Sequence, residues 1–385
     1  MKQQFLALVV LACVTICPAQ QRLVLPAQQG LVLPAQQRLV LIDQDGAGPG
    51  GSDQMAMLAL LQAPDVHVLG ITMVTGDAWR DEETLHTLRM LELTGHSDVP
   101  VVRGAVFPLV RDEDQTRMEE ALDGKVAWLG AWGGVTVPSP GATMPAPHGP
   151  YEIPPMPEGA PTTKSLDEDA AHFLIRQVRV HPHQVTIYAA GPLTNIALAI
   201  AIDPEFASLT KGIVVMGGSL NPQTNDPQTN NPGSADLEFS DPRHEFNFWF
   251  DPEAAHIVLH AAWPRIVVTT MDISSKAPFT QEMLDAIAKS QSPAARYIAA
   301  WSQRRTLMWD ELEACAWIDP AIVTKEIDVY MDVDLSHGPS YGDTLAWPES
   351  LKPAIGVRLV HAQMDLDLPR FQKEFVDLMT RTEPN

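Results

Sequence analysis

Three aspartates bracket a glycine-rich bend in the stretch LIDQDGAGPGGSDQMAMLALL (41–61): Asp43, Asp45 and Asp53. The apolar run before them suits a strand and the apolar run after them suits a helix. Carboxylates gathered at a strand end can hold a hard cation or bind sugar hydroxyls. A plain turn, with Asp53 as an N-cap, accounts for the same letters. Asp43 and Asp45 are two apart, so on an extended strand they face the same way. Gly46, Gly48, Gly50 and Gly51 let the backbone approach a ligand. Asp53 would open the helix, where a carboxylate complements the helix dipole. No Gly-Lys-Ser/Thr follows, so this is not a phosphate loop, and the donor spacing and terminal Glu of an EF-hand are missing.

The elements that must position these residues alternate. Strand-like runs at 38–41, 66–74, 101–103, 184–189, 211–216 and 265–270 are interleaved with helical runs at 82–93, 170–180, 193–202 and 252–260. The alternation predicts an α/β fold: an open, mostly parallel central sheet, Rossmann-like, flanked by helices. Sites in such sheets form beyond the carboxyl ends of the strands, where the aspartates lie. Two polar, Pro-rich stretches, 138–161 and 221–243, read as loops. Composition narrows the function. The 385-residue chain carries 48 acids against 26 bases, a net charge of −22. That excludes binding to a nucleic-acid backbone or docking on anionic lipid. Hydrophobic residues, at 45%, are enough for a sizeable core.

Further segments follow along the chain: AAGPLTN (189–195) between a strand and a helix, VMGG (215–218) at a strand end, HEFN (244–247) before DPEAA (251–255), and Trp309-Asp310 opening a helix-like run that ends at IDP (318–320). In this order and spacing, with the opening aspartates, the set resembles the nucleoside hydrolase family, the inosine-uridine-preferring and purine-preferring nucleoside N-ribohydrolases. The resemblance runs from about Arg38 to the final helix. It implies an enzyme that cleaves the N-glycosidic bond of ribonucleosides, with one Ca²⁺ held by Asp45, Asp53, Asp310 and the main-chain carbonyl of Ala190. Asp45 is implied to activate the water held by that ion, with Asp43 in support. Glu245 and Asn247 match the ribose-binding pair, Met216 lines the sugar pocket, and Asp77 stands where purine-preferring members have Asp. Trp309 stands where pyrimidine-tolerant members place His, as in the purine-preferring subgroup, which implies stacking on the leaving base. Trp79, Trp128 and Trp132 are candidates for a second aromatic wall. Family members are commonly homo-oligomers, dimers or tetramers.

The pattern departs from the family in one place. Its D-x-D-x-x-x-D-D motif is stretched by three residues here, and Ser52 replaces the first of the paired aspartates, which in the family helps hold the ribose 2′-hydroxyl. Ser52 is therefore the candidate sugar contact at that position. Two classes of function fit: a Ca²⁺-dependent purine nucleoside hydrolase, and an exported, non-catalytic nucleoside- or sugar-binding protein that keeps the fold. Retention of the three acidic ligands and of Asp45 favours the hydrolase.

Residues 1–19 read as a signal peptide: Lys2, an apolar core, and a Cys17-Pro18-Ala19 end. A lipoprotein signal around Cys13 is the second reading, and either implies export to the periplasm or the cell exterior. Residues 20–37 repeat QQRLVLPA-like units and form a linker before a single domain, 38–385. Cleavage after Ala19 would leave Cys315 as the one cysteine, in an apolar run that suits a core position.

Overall fold

The first strand shows how the sheet is buried. β1 (Arg38–Gln44) has the sequence RLVLIDQ and is closed to water from Val40 onward. Val40 and Ile42 enter one hydrophobic core, Leu41 the other. The computed structural model describes residues 37–126, 128–133, 147–220, 243–302 and 307–382. The signal peptide, nearly all of the linker, the first part of the 138–161 loop and all but the last residue of the 221–243 loop lie outside the described residues.

The same alternation continues through the strands beside β1. In β5 (Val185–Ala189), Tyr188 faces the first core while Ile187 and Ala189 face the second. In β6 (Gly212–Met216), Val214 and Met216 take the first, Ile213 and Val215 the second. A strand buried on both faces needs helices on both. On the first face these are α1 (Ser52–Gln62), α2 (Arg80–Thr94), α8 (Met271–Ser274), α9 (Gln281–Ile287), α10 (Pro293–Trp301), α11 (Trp309–Ile318) and α12 (Leu368–Thr380). On the second they are α4 (Ala170–Val180), α5 (Thr194–Ile202) and α7 (Pro252–His260). Short α6 (Phe246–Phe250) supplies Phe248 to that core, and α3 (Glu113–Asp123) buries only Thr116.

Completing the sheet are β2 (Val66–Met73), β3 (Val101–Arg103), β4 (Leu166–Asp169), β7 (Ile266–Thr269), β8 (Val323–Val333), β9 (Thr344–Trp347) and β10 (Arg358–Leu366). The order is β4-β3-β2-β1-β5-β6-β7-β10-β8-β9. All pairs are parallel up to β10; β8 then pairs antiparallel with both β10 and β9. The chain winds outward from β1 in one direction through β2 and β3, then returns to β1's other side at β5. That reversal is the topological switch point, where a crevice opens at the carboxyl ends of the strands.

The helical runs expected at 82–93, 170–180, 193–202 and 252–260 correspond to α2, α4, α5 and α7. The antiparallel edge after residue 320 was not expected. Its strands are partly exposed and mix charge with apolar residues, so neither a buried run nor strict alternation marks them. Cys315 is fully buried in the first core, as expected.

Candidate active site

Four carboxylates meet at the switch point. Asp45 follows β1, Asp77 follows β2, Asp53 lies in the first turn of α1 and Asp310 in the first turn of α11. Asp45 is 2% exposed and Asp310 is 4% exposed. Asp45 Oδ2 accepts a hydrogen bond from the Asp77 backbone N–H at 3.0 Å. Two glycines enclose the carboxylate of Asp45. A Cβ on Gly76 would fall 2.1 Å from its Oδ2, and one on Gly191 would fall 2.8 Å from its Oδ1. Gly191 follows Ala190, whose N–H donates to the Asp43 carbonyl at 3.0 Å, so the Ala190-Gly191 turn is seated directly on the end of β1.

Electrostatics within this group are one-sided. Burial, then the charges of Asp77 and Asp310, push the Asp45 carboxyl well above the usual carboxylate range. Asp53 is driven up by burial and then by Asp310, Asp77 and Asp45. Asp77 rises to about 7 through burial, although the Trp128 indole N–H donates to it. Asp310 rises to about 6 through burial, offset by bonds from Asp53 and from Gln44 Nε2, the latter at 2.8 Å. The side chains that bond to these four acids or shift them most include no lysine, arginine or histidine. Two carboxyl groups in hydrogen-bond contact, Asp53 and Asp310, must share a proton or a cation. A buried donor set of carboxylate oxygens fits a hard divalent metal ion.

Neither Asp53 nor Asp310 is a helix cap. The caps are Gly51 and Met308, with no side-chain bond to the first turn in either helix. Both carboxylates are thus free of a capping role, which the sequence had left open for Asp53. Asn195, in the first turn of α5, ties three strand ends together. Its Nδ2 donates to Asp43 Oδ1 at 2.8 Å and to the Met73 carbonyl at 3.1 Å, and its Oδ1 accepts from Ala105 N at 2.8 Å. Asp43 also accepts from Thr72 Oγ1, and burial raises it to about 7.

On the far side of the crevice, Glu245 caps α6. It accepts from Asn247 N at 2.8 Å and from Phe248 N and Gly218 N at 3.0 Å, and burial brings it to about 7 despite these bonds. Asn247 Nδ2 donates to the Met216 carbonyl at 3.1 Å. The structure therefore joins Met216, Glu245 and Asn247 into one bonded unit at the end of β6. Trp309 is half-buried and packs against the first core at the start of α11.

Two residues are placed differently from expectation. The Ser52 hydroxyl donates to the buried Glu311 Oε2 at 2.6 Å. Trp79 packs with Leu129, Trp132, Trp249 and Phe250, and its indole N–H donates to the His148 carbonyl at 2.7 Å. Trp132 stacks on Phe250 with centroids 4.3 Å apart. Among the three tryptophans considered for a second wall, Trp128 is the one bonded to a carboxylate of the cluster.

Sequence reasoning missed Gln44, Glu83, Glu311 and Glu313. Gln44 sits between the two aspartates of DQD, and its amide is what holds Asp310. Glu83 is fully buried; it accepts from Ala78 N at 2.8 Å and is raised chiefly by burial and by Asp45. It is one of three acids in the first turn of α2, with Asp81 and Glu82, and nothing local in the sequence sets it apart.

Residues 40–373 match the family model described as inosine-uridine preferring nucleoside hydrolase. A probable uridine nucleosidase from Oryza sativa subsp. japonica is 32% identical over 262 residues, 68% of this chain and 67% of that protein. Among solved structures, a plant nucleoside hydrolase superposes with TM-score 0.67 at 23% identity, covering 89% of this chain and 99% of its own. A purine-preferring ribonucleoside hydrolase from Gardnerella vaginalis superposes with TM-score 0.65 at 21% identity, covering 89% and 98%. At such identities the superpositions speak for the fold, while the family model spans the strands and helices that carry every residue of the carboxylate cluster. The chain belongs to the nucleoside hydrolase family, hydrolases of N-glycosyl bonds.

Proposed function

We propose that this protein hydrolyses purine ribonucleosides to the free base and ribose with the help of Ca²⁺. The observation that carries the reading is the buried group of Asp45, Asp53 and Asp310 gathered at the switch point. These three, with the Ala190 carbonyl, would hold the ion. When bound, the ion offsets their charge and makes a coordinated water more acidic.

Asp45 takes the proton of the attacking water, and its carboxylate is held for that task by the Asp77 N–H and by Gly76 and Gly191. The water oxygen bonds to C1′ of the ribose. The base takes a proton from solvent on its ring, and the C1′–N9 electron pair then departs with it, so that it leaves as the neutral base. Trp309 and Trp128 flank the base, and their faces stabilise the ring as it gains positive character. Glu245 keeps Asn247 and the turn after Met216 in place for the sugar, and Asp77 lines the same crevice. Trp309, half-buried at the start of α11 where an imidazole would otherwise stand, supports stacking rather than imidazolium donation as the means of leaving-group activation. We place the protein outside the cytoplasm, on the reading of residues 1–19, and as a homo-oligomer.

Steady-state kinetics with inosine, guanosine and uridine test the proposal. Trp309→Ala should lower kcat/KM for inosine roughly 30-fold, the size of a desolvated cation–π contact of about 2 kcal/mol, and affect uridine less. Equal losses on both substrates would remove the stacking role. A wild-type preference for uridine would overturn the purine assignment and leave the hydrolase.

A further inference from the structure

His256 and His260 stand one turn apart on α7, and Asp332 faces them from β8. His256 Nδ1 is 2.7 Å from Asp332 Oδ1, and His260 Nε2 is 2.9 Å from Asp332 Oδ2. The two imidazole rings lie 4.0 Å apart between centroids. One ligand-type atom from each residue lies within 4.8 Å of the others. None of these residues belongs to the carboxylate cluster of the active site.

We propose that His256, His260 and Asp332 form a second metal site, for a divalent transition ion, with Zn²⁺ the best fit. Residues at i and i+4 share a helix face, so α7 presents two imidazoles side by side. Two nitrogens and one carboxylate oxygen suit a borderline-soft ion, whereas Ca²⁺ takes oxygen ligands. The remaining position belongs to water, since the three side chains are 34%, 24% and 15% exposed. Several contacts hold the ligands in place. Asp332 Oδ1 also accepts from Val333 N at 2.8 Å, fixing the carboxylate. Arg358 Nε donates to the His260 carbonyl at 3.1 Å, and Gly356 passes so close that a Cβ there would be 2.8 Å from His260 Cε1. A purely ionic cluster is a weaker account, because two charged imidazoles 4.0 Å apart would share one carboxylate. The other group of this kind, Glu326, Asp328 and His361, offers a single imidazole and two exposed acids.

The test uses the untagged full chain in excess Ca²⁺, titrated with Zn²⁺ against a chromophoric chelator. Wild type should bind about one equivalent of Zn²⁺, as a three-ligand site would. The His256→Ala/His260→Ala double variant should lose it, and Asp310→Asn should keep it. Zn²⁺ should also shield both histidines of the wild-type protein from diethyl pyrocarbonate, read by peptide mass spectrometry, which decides the matter if the double variant does not fold. Equal Zn²⁺ uptake by wild type and double variant, or histidines modified equally with and without Zn²⁺, would overturn the proposal and leave Asp332 as an ionic tie between α7 and β8.

Discussion

Replacing Gly76 by alanine should cripple catalysis while leaving the protein folded. The added methyl would sit 2.1 Å from Asp45 Oδ2 and 2.7 Å from its Cβ and Cγ, where real contacts do not fall below 3.0 Å. The carboxylate must therefore retreat by close to ~1 Å, and a misplacement of that size costs about 100-fold in rate. It cannot retreat freely, because Gly191 closes the opposite side with a would-be Cβ 2.8 Å from Oδ1. Overpacking at such a site costs about 1–3 kcal/mol of stability. The assay is ribose release under kcat/KM conditions, with the thermal midpoint measured alongside. Gly338→Ala is the control, since its only neighbour within reach is the Ser336 carbonyl oxygen at 4.0 Å. Wild-type kcat/KM in Gly76→Ala, with the control equally unaffected, would refute the claim that these glycines hold Asp45 in its working position.

Other consequences follow from the same geometry. Ser52→Asp, which restores the family's aspartate pair, should lower stability by about 1–3 kcal/mol rather than improve activity, because it sets a carboxylate against the buried Glu311; a raised thermal midpoint would contradict this. Trp128→Phe keeps an aromatic face but removes the indole N–H from Asp77, so the pKa of Asp77, followed by carboxyl NMR, should move above about 7, and an unmoved titration would show that the bond does nothing. Glu245 titrates near 7 in the folded chain and about 4.3 when unfolded, so the folded state binds the extra proton between those values. Its contribution to metal-free stability is full below about pH 4 and fades as pH rises toward 7; Glu245→Gln should flatten that fall in chemical denaturation, and an unchanged pH slope would sink the assignment.

How much of this was legible in the sequence depends on how local each signal was. The central strands and their flanking helices declare themselves through buried runs and helical periodicity, and the strand-end aspartates follow from them. Long-range pairings do not. Asp43 and Asp45 were expected to face the same way, but β1 ends at Gln44, so the period-two rule stops one residue short. Asp43 turns to Thr72 and Asn195, while Gln44 reaches Asp310 across 266 residues of sequence. Glu83 and Glu311 stand among the first-turn acids of α2 and α11, and nothing local reveals that these helix ends will be buried against a metal-type site. The stretched loop after Asp45 reads only as permissive turn chemistry. In the fold, Gly50 takes φ +72° with the Trp301 backbone 2.6 Å from where a Cβ would be, and its N–H donates to Tyr297 Oη at 3.1 Å. The three added residues therefore fill a place against α10, and Ser52 is left facing Glu311.

Everything in the account passes through Asp45, and one comparison reaches it directly. Purified wild type and Asp45→Asn, each with Ca²⁺ and with a chelator, are incubated with inosine, and free ribose is measured. The account predicts ribose from wild type with Ca²⁺, loss on chelation with recovery when Ca²⁺ returns, and loss of ~10² or more in Asp45→Asn at an unchanged fold, the lower range expected for a missing general base. Ribose released equally by Asp45→Asn, or by wild type stripped of metal, would contradict it.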